Sequence, residues 1–454
     1  MKRVGIIIDN PLRDLEGLVL LAARLAMKDV EVYLIGMYEQ DFDVIANNID
    51  LVIFNYLRKN NMERFKRFKK KGIRVGVLDT EGAGEKDDIA YANVISQTGL
   101  SKYLDFFCTW GSGQYEALLN RRLISKERLF ETGNPRYDFC SQRYRNFYKN
   151  KDVGDFSLIN TNFPLVNRKF SDDEDAELNN FIKIGYSKDA AIFRLRETKK
   201  TFLNMKKFLK ELIEQFKNES FVLRPHPFED SEPYSDLLVF DNVALNTSGS
   251  SMKQISNCKN LIHLNCLTSI EAFMMNKPAL SPAWISSEEL EVPLAKLVSI
   301  NFSSKDEFFT KFLNISSKTR DPGKDFKIRD EIEKRFCKID GKANERVCNA
   351  ILAALGMNLI EVRNSKISIF SRFKDFWILL LGYRTFFFFR SLFFKKKNDS
   401  SKNFNIYEVR KILDKIKNID ECFEDLTCDF PNKNMDRDFK IRFSSNKAIK
   451  ILKR

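Results

Sequence analysis

The chain has 454 residues, enough for two or three domains with sizeable cores, and its 43% hydrophobic content is ordinary for a globular protein. Its eight cysteines show no CxxC and no paired spacing, which argues against a zinc site or a disulfide framework and fits a reducing compartment. The net charge of +14 is uneven: residues 361–454 hold 22 Lys/Arg against 12 Asp/Glu, a basic tail rather than a basic nucleic-acid domain.

Met1–Asn10 has a basic start but only the short apolar run Val4–Ile8, too short for a signal peptide, so a cytoplasmic protein is expected. Arg3–Asp9 reads as a buried strand and Leu15–Met27 as a helix. Between them lies Asp9-Asn10-Pro11-Leu12-Arg13-Asp14. Asp14 suits a helix cap, and Arg13 is then directed past the strand end, where it can meet an anionic ligand. Further apolar runs follow at Val30–Ile35, Leu51–Asn55, Ile73–Leu78, Phe106–Trp110 and Leu129–Thr132. Continuous apolar strands separated by helical patterns predict a parallel sheet covered on both faces. In such sheets ligands bind at the carboxyl ends of the strands, so the residues after each strand matter most. After Ile73–Leu78 come Asp79-Thr80-Glu81-Gly82-Ala83-Gly84, either a solvated turn or a loop offering a carboxylate as general base. The glycine spacing is not that of a dinucleotide fingerprint.

A second series begins after the polar stretch Tyr144–Asp155, with strands expected at Ser157–Asn160, Phe221–Arg224, Asn260–Leu264 and Pro278–Ser281. The Thr201–Lys217 segment reads as an amphipathic surface helix. Arg224-Pro225-His226-Pro227 puts one of the chain's two histidines on a rigid turn at a strand end, where imidazole and guanidinium can both meet phosphate. Thr268-Ser269-Ile270-Glu271 fits a capping box, and a helix N-terminus after a parallel strand also suits phosphate. His263, inside an apolar strand, reads as a satisfied core residue. No Walker A, GxSxG, HExxH or kinase signature is present. Two successive βα series predict two Rossmann-like domains.

The tail carries Phe376–Tyr383 and Phe386–Phe389, punctuated by Arg372, Lys374, Arg384, Arg390 and Lys395–Lys397. The longest uncharged apolar run is too short to span a bilayer, and a longer span would bury Arg384 at a cost of roughly 2.5–3.5 kcal/mol. Phe370–Lys397 is therefore expected to lie on an anionic membrane surface, with packing on the protein body as the alternative. Ile406–Ile419 has helical periodicity, and the chain beyond Asp429 is expected to be polar and poorly ordered.

An ordered set of these motifs resembles a known family, the bacterial surface carbohydrate biosynthesis proteins. The set comprises Arg13-Asp14 before Leu18–Leu25, Asp79–Gly84, Gly111-Ser112-Gly113 and Thr132-Gly133-Asn134-Pro135-Arg136-Tyr137-Asp138. It continues with Thr161-Asn162-Phe163, Arg224–Pro227 and Thr268–Phe273 followed by Lys277-Pro278, over roughly residues 1–350. That family is similar to GT-B glycosyltransferases, including capsule Kdo transferases and bacterial sialyltransferases. The resemblance implies an α/β, GT-B-like fold with two Rossmann-like domains facing a central cleft: an acceptor domain over 1–150, a nucleotide-sugar domain over 151–360, and a membrane-associating tail over 361–454. It implies a CMP-activated acidic sugar as donor, a glycan or lipid-linked glycan as acceptor, and neither metal nor cofactor. Arg224, His226, Pro227, Thr268, Ser269 and Glu271 would hold the nucleotide phosphate. Glu81 would be the base with Asp79 as its rival, and Arg13, Asp14, Asn134 and Arg136 would line the acceptor side. Thr80 stands where a second acid is common. Competing readings are a CDP-polyol phosphotransferase, a non-catalytic scaffold of a polysaccharide assembly complex, and a nucleotide-sugar epimerase. The enzyme readings place the chain at the inner face of the cytoplasmic membrane, with no nucleic-acid partner.

Overall fold

The structure is a computed structural model, and it describes residues 1–82, 87–148, 155–169, 175–183, 187–315, 322–360, 373, 376, 402–431 and 448–453. The chain forms two compact units, Met1–Phe147 with Glu331–Arg454, and Tyr148–Asp330. Each is an α/β unit built on its own sheet, so the chain carries the two Rossmann-like components of the GT-B-like fold expected from the sequence.

The first unit contains β1 (Lys2–Ile8), β2 (Val30–Gly36), β3 (Leu51–Phe54), β4 (Arg74–Leu78), β5 (Phe106–Thr109) and β6 (Leu129–Glu131). From the C-terminal segment come β13 (Leu426–Asp429) and β14 (Ile449–Lys453), and the sheet order is β13-β14-β2-β1-β3-β4-β5-β6. The strands β1 to β6 pair in parallel, and β1 to β5 are almost wholly buried, which is why they read as unbroken apolar runs, whereas β6 at the edge buries only Leu129. The Pro11–Ala26 helix starts with proline at its first turn, where no amide partner is lost. It is buried on more than one face because it packs on the sheet and also on the Pro135–Cys140 turn, the Ala343–Gly356 helix and the Ile406–Lys417 helix. Gly17 permits that approach: a Cβ there would stand 2.6 Å from the backbone nitrogen of Arg136.

The second unit contains β7 (Phe156–Asn160), β8 (Ser220–Arg224), β9 (Val243–Leu245), β10 (Asn260–His263), β11 (Ala279–Ser281) and β12 (Ile300–Asn301), ordered β12-β11-β10-β7-β8-β9 and all parallel. The Lys188–Gln215 helix lays Met205, Phe208, Leu209, Leu212 and Ile213 into a core shared with Phe221, Phe302, Phe308 and Phe312. Phe208 and Phe308 meet edge to face at 5.0 Å between centroids, so part of the chain's phenylalanine content serves ordinary aromatic packing.

Two sequence expectations change. The expected 361–454 tail is not a separate appendage, because the Ile406–Lys417 helix, β13 and β14 belong to the first unit, and the second unit ends at Asp330 rather than 360, so that the Ala343–Gly356 helix also belongs to the first. The end of the chain is not simply polar. Ile449 and Ile451 are buried where β14 pairs with β2 (Ile449 with Leu34, Ile451 with Val32), and Lys450 on the opposite face meets Glu31 at 2.9 Å. The expected membrane segment Phe370–Lys397 lies outside the described residues except for Phe373 and Phe376, both exposed. Among the described residues no helix is long and apolar enough to cross a membrane. None of the eight cysteines forms a disulfide among the described residues.

Candidate functional site

Among the parallel strands of an open α/β sheet the crevice for ligands lies where the strand order reverses. In the first unit that point is between β1 and β3, and in the second between β7 and β10.

At the first switch point the loops after β1, β3 and β4 bring together Asp9, Arg13, Asp14, Arg58, Thr80 and Glu81. The Arg13 guanidinium donates to Asp14 Oδ1 (2.7 Å) and Oδ2 (3.0 Å), Thr80 Oγ1 (3.0 Å), Glu81 Oε1 (3.4 Å) and Asp9 Oδ2 (3.5 Å). Burial works against its charge, but Asp14, Glu81 and Asp9 outweigh burial and hold Arg13 protonated more firmly than usual. Arg13 is thus a hub that ties the connection after β1 to the loop after β4 rather than a side chain free to take an external anion. Asp14 sits in the first helical turn and accepts from the Asn10 amide (3.3 Å), while Asn10 is the capping position.

Glu81 is held by Arg13 and by Arg58, and its side chain keeps 39% exposure. Asp79, two residues earlier, is 5% exposed. Its Oδ1 accepts from the Glu81 amide (2.8 Å) and its Oδ2 from the Tyr91 hydroxyl (2.7 Å), and burial pushes its carboxyl above the usual carboxylate range. The Asp79 carbonyl accepts from Asn134 Nδ2 (3.1 Å) and Trp110 Nε1, so Asn134 supports this turn from beneath. Arg136 lies over Tyr137 at 4.7 Å and donates to its hydroxyl (2.8 Å). Three participants were not singled out from the sequence. Arg58 follows β3, and Lys402 reaches Asp9 Oδ1 at 2.7 Å from the far end of the chain. Asn55 is buried at the end of β3, with no hydrogen-bond partner for its Nδ2 among the described residues.

At the second switch point Asn160 Nδ2 donates to Thr268 Oγ1 (3.1 Å), and Thr268 Oγ1 donates to Cys266 Sγ (3.1 Å). Asn162 Nδ2 donates to the Asn265 carbonyl (3.2 Å). Asn160 Oδ1 and Ser250 Oγ are buried without a hydrogen-bond partner among the described residues. The expected capping box is absent. Leu267 is the capping position, Thr268 is drawn to Asn160 and Cys266, Ser269 Oγ donates to the Cys266 carbonyl (2.8 Å), and buried Glu271 accepts from Ser251 Oγ (2.8 Å).

The turn after β8 is organised by a residue the sequence reading missed, Glu229, which is 3% exposed. It accepts from the Phe163 amide (2.7 Å), Thr161 Oγ1 (3.0 Å), the His226 amide (3.4 Å) and the Tyr234 hydroxyl, tying the loop after β7 to the one after β8. Burial raises its carboxyl against the opposing pull of these donors. Its position three residues after His226 was the available signal. His226 Nδ1 accepts from the Phe228 amide (3.2 Å), which assigns the proton of a neutral ring to Nε2. Pro227 completes the turn and stays partly exposed. Arg224 does not share the outlook of His226: it is 6% exposed and donates to the carbonyls of Ser248 (3.0 Å) and Gly249 (2.6 Å). Burial lowers its affinity for a proton, countered by Glu271. His263 is 1% exposed with both nitrogens engaged: Ser299 Oγ, which donates to the Ala295 carbonyl, accepts from Nε2 at 2.8 Å, and Nδ1 accepts from the Cys266 amide at 3.5 Å. Burial pushes it down to about 3. Among the described residues no group of three or more His, Cys, Asp or Glu side chains is placed to hold a metal ion.

No protein-family model and no curated protein sequence matches the chain. Solved structures similar to it include Methanocaldococcus jannaschii UDP-GlcNAc 2-epimerase in complex with UDP-GlcNAc and UDP, at 12% identity and a TM-score of 0.46, covering 78% of this chain and 99% of that one. S. aureus MnaA with UDP is similar at 12% identity and a TM-score of 0.48, covering 81% and 100%. The wall teichoic acid polymerase TagF with CDPG is similar at 11% identity and a TM-score of 0.47, covering 78% and 88%.

Proposed function

We propose that the chain is a GT-B-type glycosyltransferase that moves a sugar from a nucleotide donor to a surface polysaccharide or its lipid-linked precursor. The observation that carries this reading is that each unit gathers polar side chains at its switch point and buries an amide atom there without a partner among the described residues, Asn55 Nδ2 in one and Asn160 Oδ1 in the other. The ordered motifs favour a CMP-activated acidic sugar as donor. Its phosphate is assigned to the ends of β7, β8 and β10, where His226 Nε2–H, and the Thr268 hydroxyl once turned from Cys266 Sγ, are the groups suited to the leaving oxygen. Both carboxylates have both oxygens partnered, and Glu81 is assigned as base because its side chain keeps 39% exposure whereas Asp79 is buried. In the proposed step the acceptor oxygen bonds to the anomeric carbon and its proton passes to Glu81. The sugar–phosphate bond breaks, and its electron pair leaves with the phosphate oxygen.

The test is thermal shift and calorimetric titration of the full chain with CMP, CDP, UDP and GDP, alongside His226→Ala. The full chain is required because β13 and β14 complete the first sheet. Stabilisation by CMP, lost in His226→Ala, is the expected result. Preference for CDP would move the reading to a polyol-phosphate transferase, and preference for UDP or GDP to another sugar donor or an epimerase. Silence with all four nucleotides would leave the scaffold reading in its place.

A further inference from the structure

The Lys188–Gln215 helix turns one side to the core and another to solvent. At 28 residues it is about 42 Å long. Its exposed side follows the helical repeat through Ile192, Arg196, Lys199, Leu203, Lys207 and Lys210, with Phe193 and Lys200 beside them. Ile192, Phe193 and Leu203 are 45%, 38% and 57% exposed, unusual for large apolar side chains on one helix. Lys199, Lys200, Lys207 and Lys210 form no ion pair with any carboxylate among the described residues. Arg196 lies over the Phe193 ring at 5.3 Å, with Glu197 at 3.7 Å. Within 192–210 no acid stands on the face, since Glu197 is turned to the side; Glu211 is taken by Lys305 at 3.0 Å, and the exposed Asp189 and Glu214 mark the two ends of the basic stripe.

We infer that this face of the second unit is a docking surface for an anionic lipid bilayer. The pattern is that of a helix lying in the interface plane: apolar side chains at the centre and flank of the stripe enter the headgroup boundary, and the lysines around them meet lipid phosphate. The interspersed Ile192, Phe193 and Leu203 favour a bilayer over a nucleic acid, whose phosphates would leave those side chains uncovered. The alternation also suits lysines, whose alkyl stems can lie along apolar surface at an interface while the ammonium groups reach phosphate. The helix is a different stretch of sequence from Phe370–Lys397, and the inference does not depend on the enzymatic reading.

The experiment is flotation of the full chain with vesicles of phosphatidylcholine alone and of phosphatidylcholine with phosphatidylglycerol. Binding to the anionic vesicles is expected, weakened at least tenfold by K199E/K200E/K207E and several-fold by F193S/L203S. The exposed triple K28E/K70E/K71E on the first unit carries the same charge change and is expected to bind nearly as the parent does. The neutral triple K199Q/K200Q/K207Q is expected to lose binding to an intermediate degree, with circular dichroism reporting that all variants stay folded. Parent-like binding of K199E/K200E/K207E would overturn the inference by placing the membrane contact elsewhere. Binding of the parent to polyuridylate but not to vesicles would overturn it in favour of nucleic acid.

Discussion

Two carboxylates at the end of β4 stand two positions apart and differ in what surrounds them. Glu81 lies between two arginines with its side chain partly in solvent, while Asp79 is sealed beneath it by Tyr91 and the Glu81 amide. Glu81→Gln is therefore expected to lower turnover by about 10²–10⁴-fold, the range for a lost general base, while leaving donor affinity within about twofold. Asp79→Asn places an amide where a second acceptor is needed, and is expected to destabilise the first unit by about 1–3 kcal/mol in denaturant titrations. If Asp79→Asn abolished turnover at full stability and Glu81→Gln remained active, the two roles would be reversed. The buried histidine gives a pH signature. His263 is held neutral at about 3, against an ordinary value near 6.5, so the folded state binds fewer protons than the unfolded state between those values. Its contribution is complete above pH 6.5 and is lost as the pH falls toward 3, amounting to about 2 kcal/mol between pH 7 and pH 5. Urea titrations at pH 7, 6 and 5 check this. His263→Gln should be less stable at pH 7 yet lose less on acidification, and equal slopes for the two proteins would remove His263 as the cause.

Among the elements, the Thr132–Asp138 turn shows how a motif can be visible while its work is not. Asp138 is 2% exposed, and its carboxylate accepts from the Ala343 amide (2.8 Å), the Asn344 amide (2.7 Å) and Asn344 Nδ2 (2.7 Å). It satisfies the opening amides of the Ala343–Gly356 helix from two hundred residues away, as a capping side chain would. Arg346 returns the contact by donating Nε to the Thr132 carbonyl at 2.8 Å. Asp138→Ala is expected to cost about 1–3 kcal/mol, because buried amides lose their acceptor, and to lower the melting temperature without changing nucleotide affinity. Parent-like stability would show that water replaces the carboxylate. The same contrast explains what the sequence makes legible. Strands such as Leu51–Phe54 and Arg74–Leu78 are readable to within a residue, because sheets covered on both faces demand unbroken apolar runs. The two-residue β12 and three-residue β9 leave no such run, and β14 gains its meaning only by pairing with β2, more than four hundred residues earlier. Loops after β1, β4 and β8 stand out as polar residues following apolar ones. The direction of each side chain does not: Arg224 turns to the Ser248–Gly249 carbonyls and Thr268 to Asn160, choices made by tertiary packing rather than by local spacing.

At the scale of the whole molecule, the chain leaves the first unit at Phe147, builds the second through Asp330, and then returns to finish the first. The returning segment covers the Pro11–Ala26 helix with two helices and supplies the strand between β2 and β13. Without it, the part of that helix covered by the two returning helices and the hydrogen-bonding edge of β2 would face water, and each fully buried apolar side chain so exposed costs about 1.5–3 kcal/mol. Residues 1–147 expressed alone should therefore fail to unfold cooperatively, whereas 148–330, whose sheet and aromatic core are complete within its own span, should do so. A smaller cut isolates the strand. Removing residues 448–454 exposes Val32 and Leu34 and leaves β13 unpaired, so the melting transition of the first unit should fall by several degrees while that of the second stays in place. Calorimetry of the parent, the truncated chain and the isolated 148–330 segment measures all three. Cooperative folding of 1–147 alone would show that the returning segment is an accessory, and an unchanged transition after the small truncation would show that β14 adds nothing to the sheet it joins.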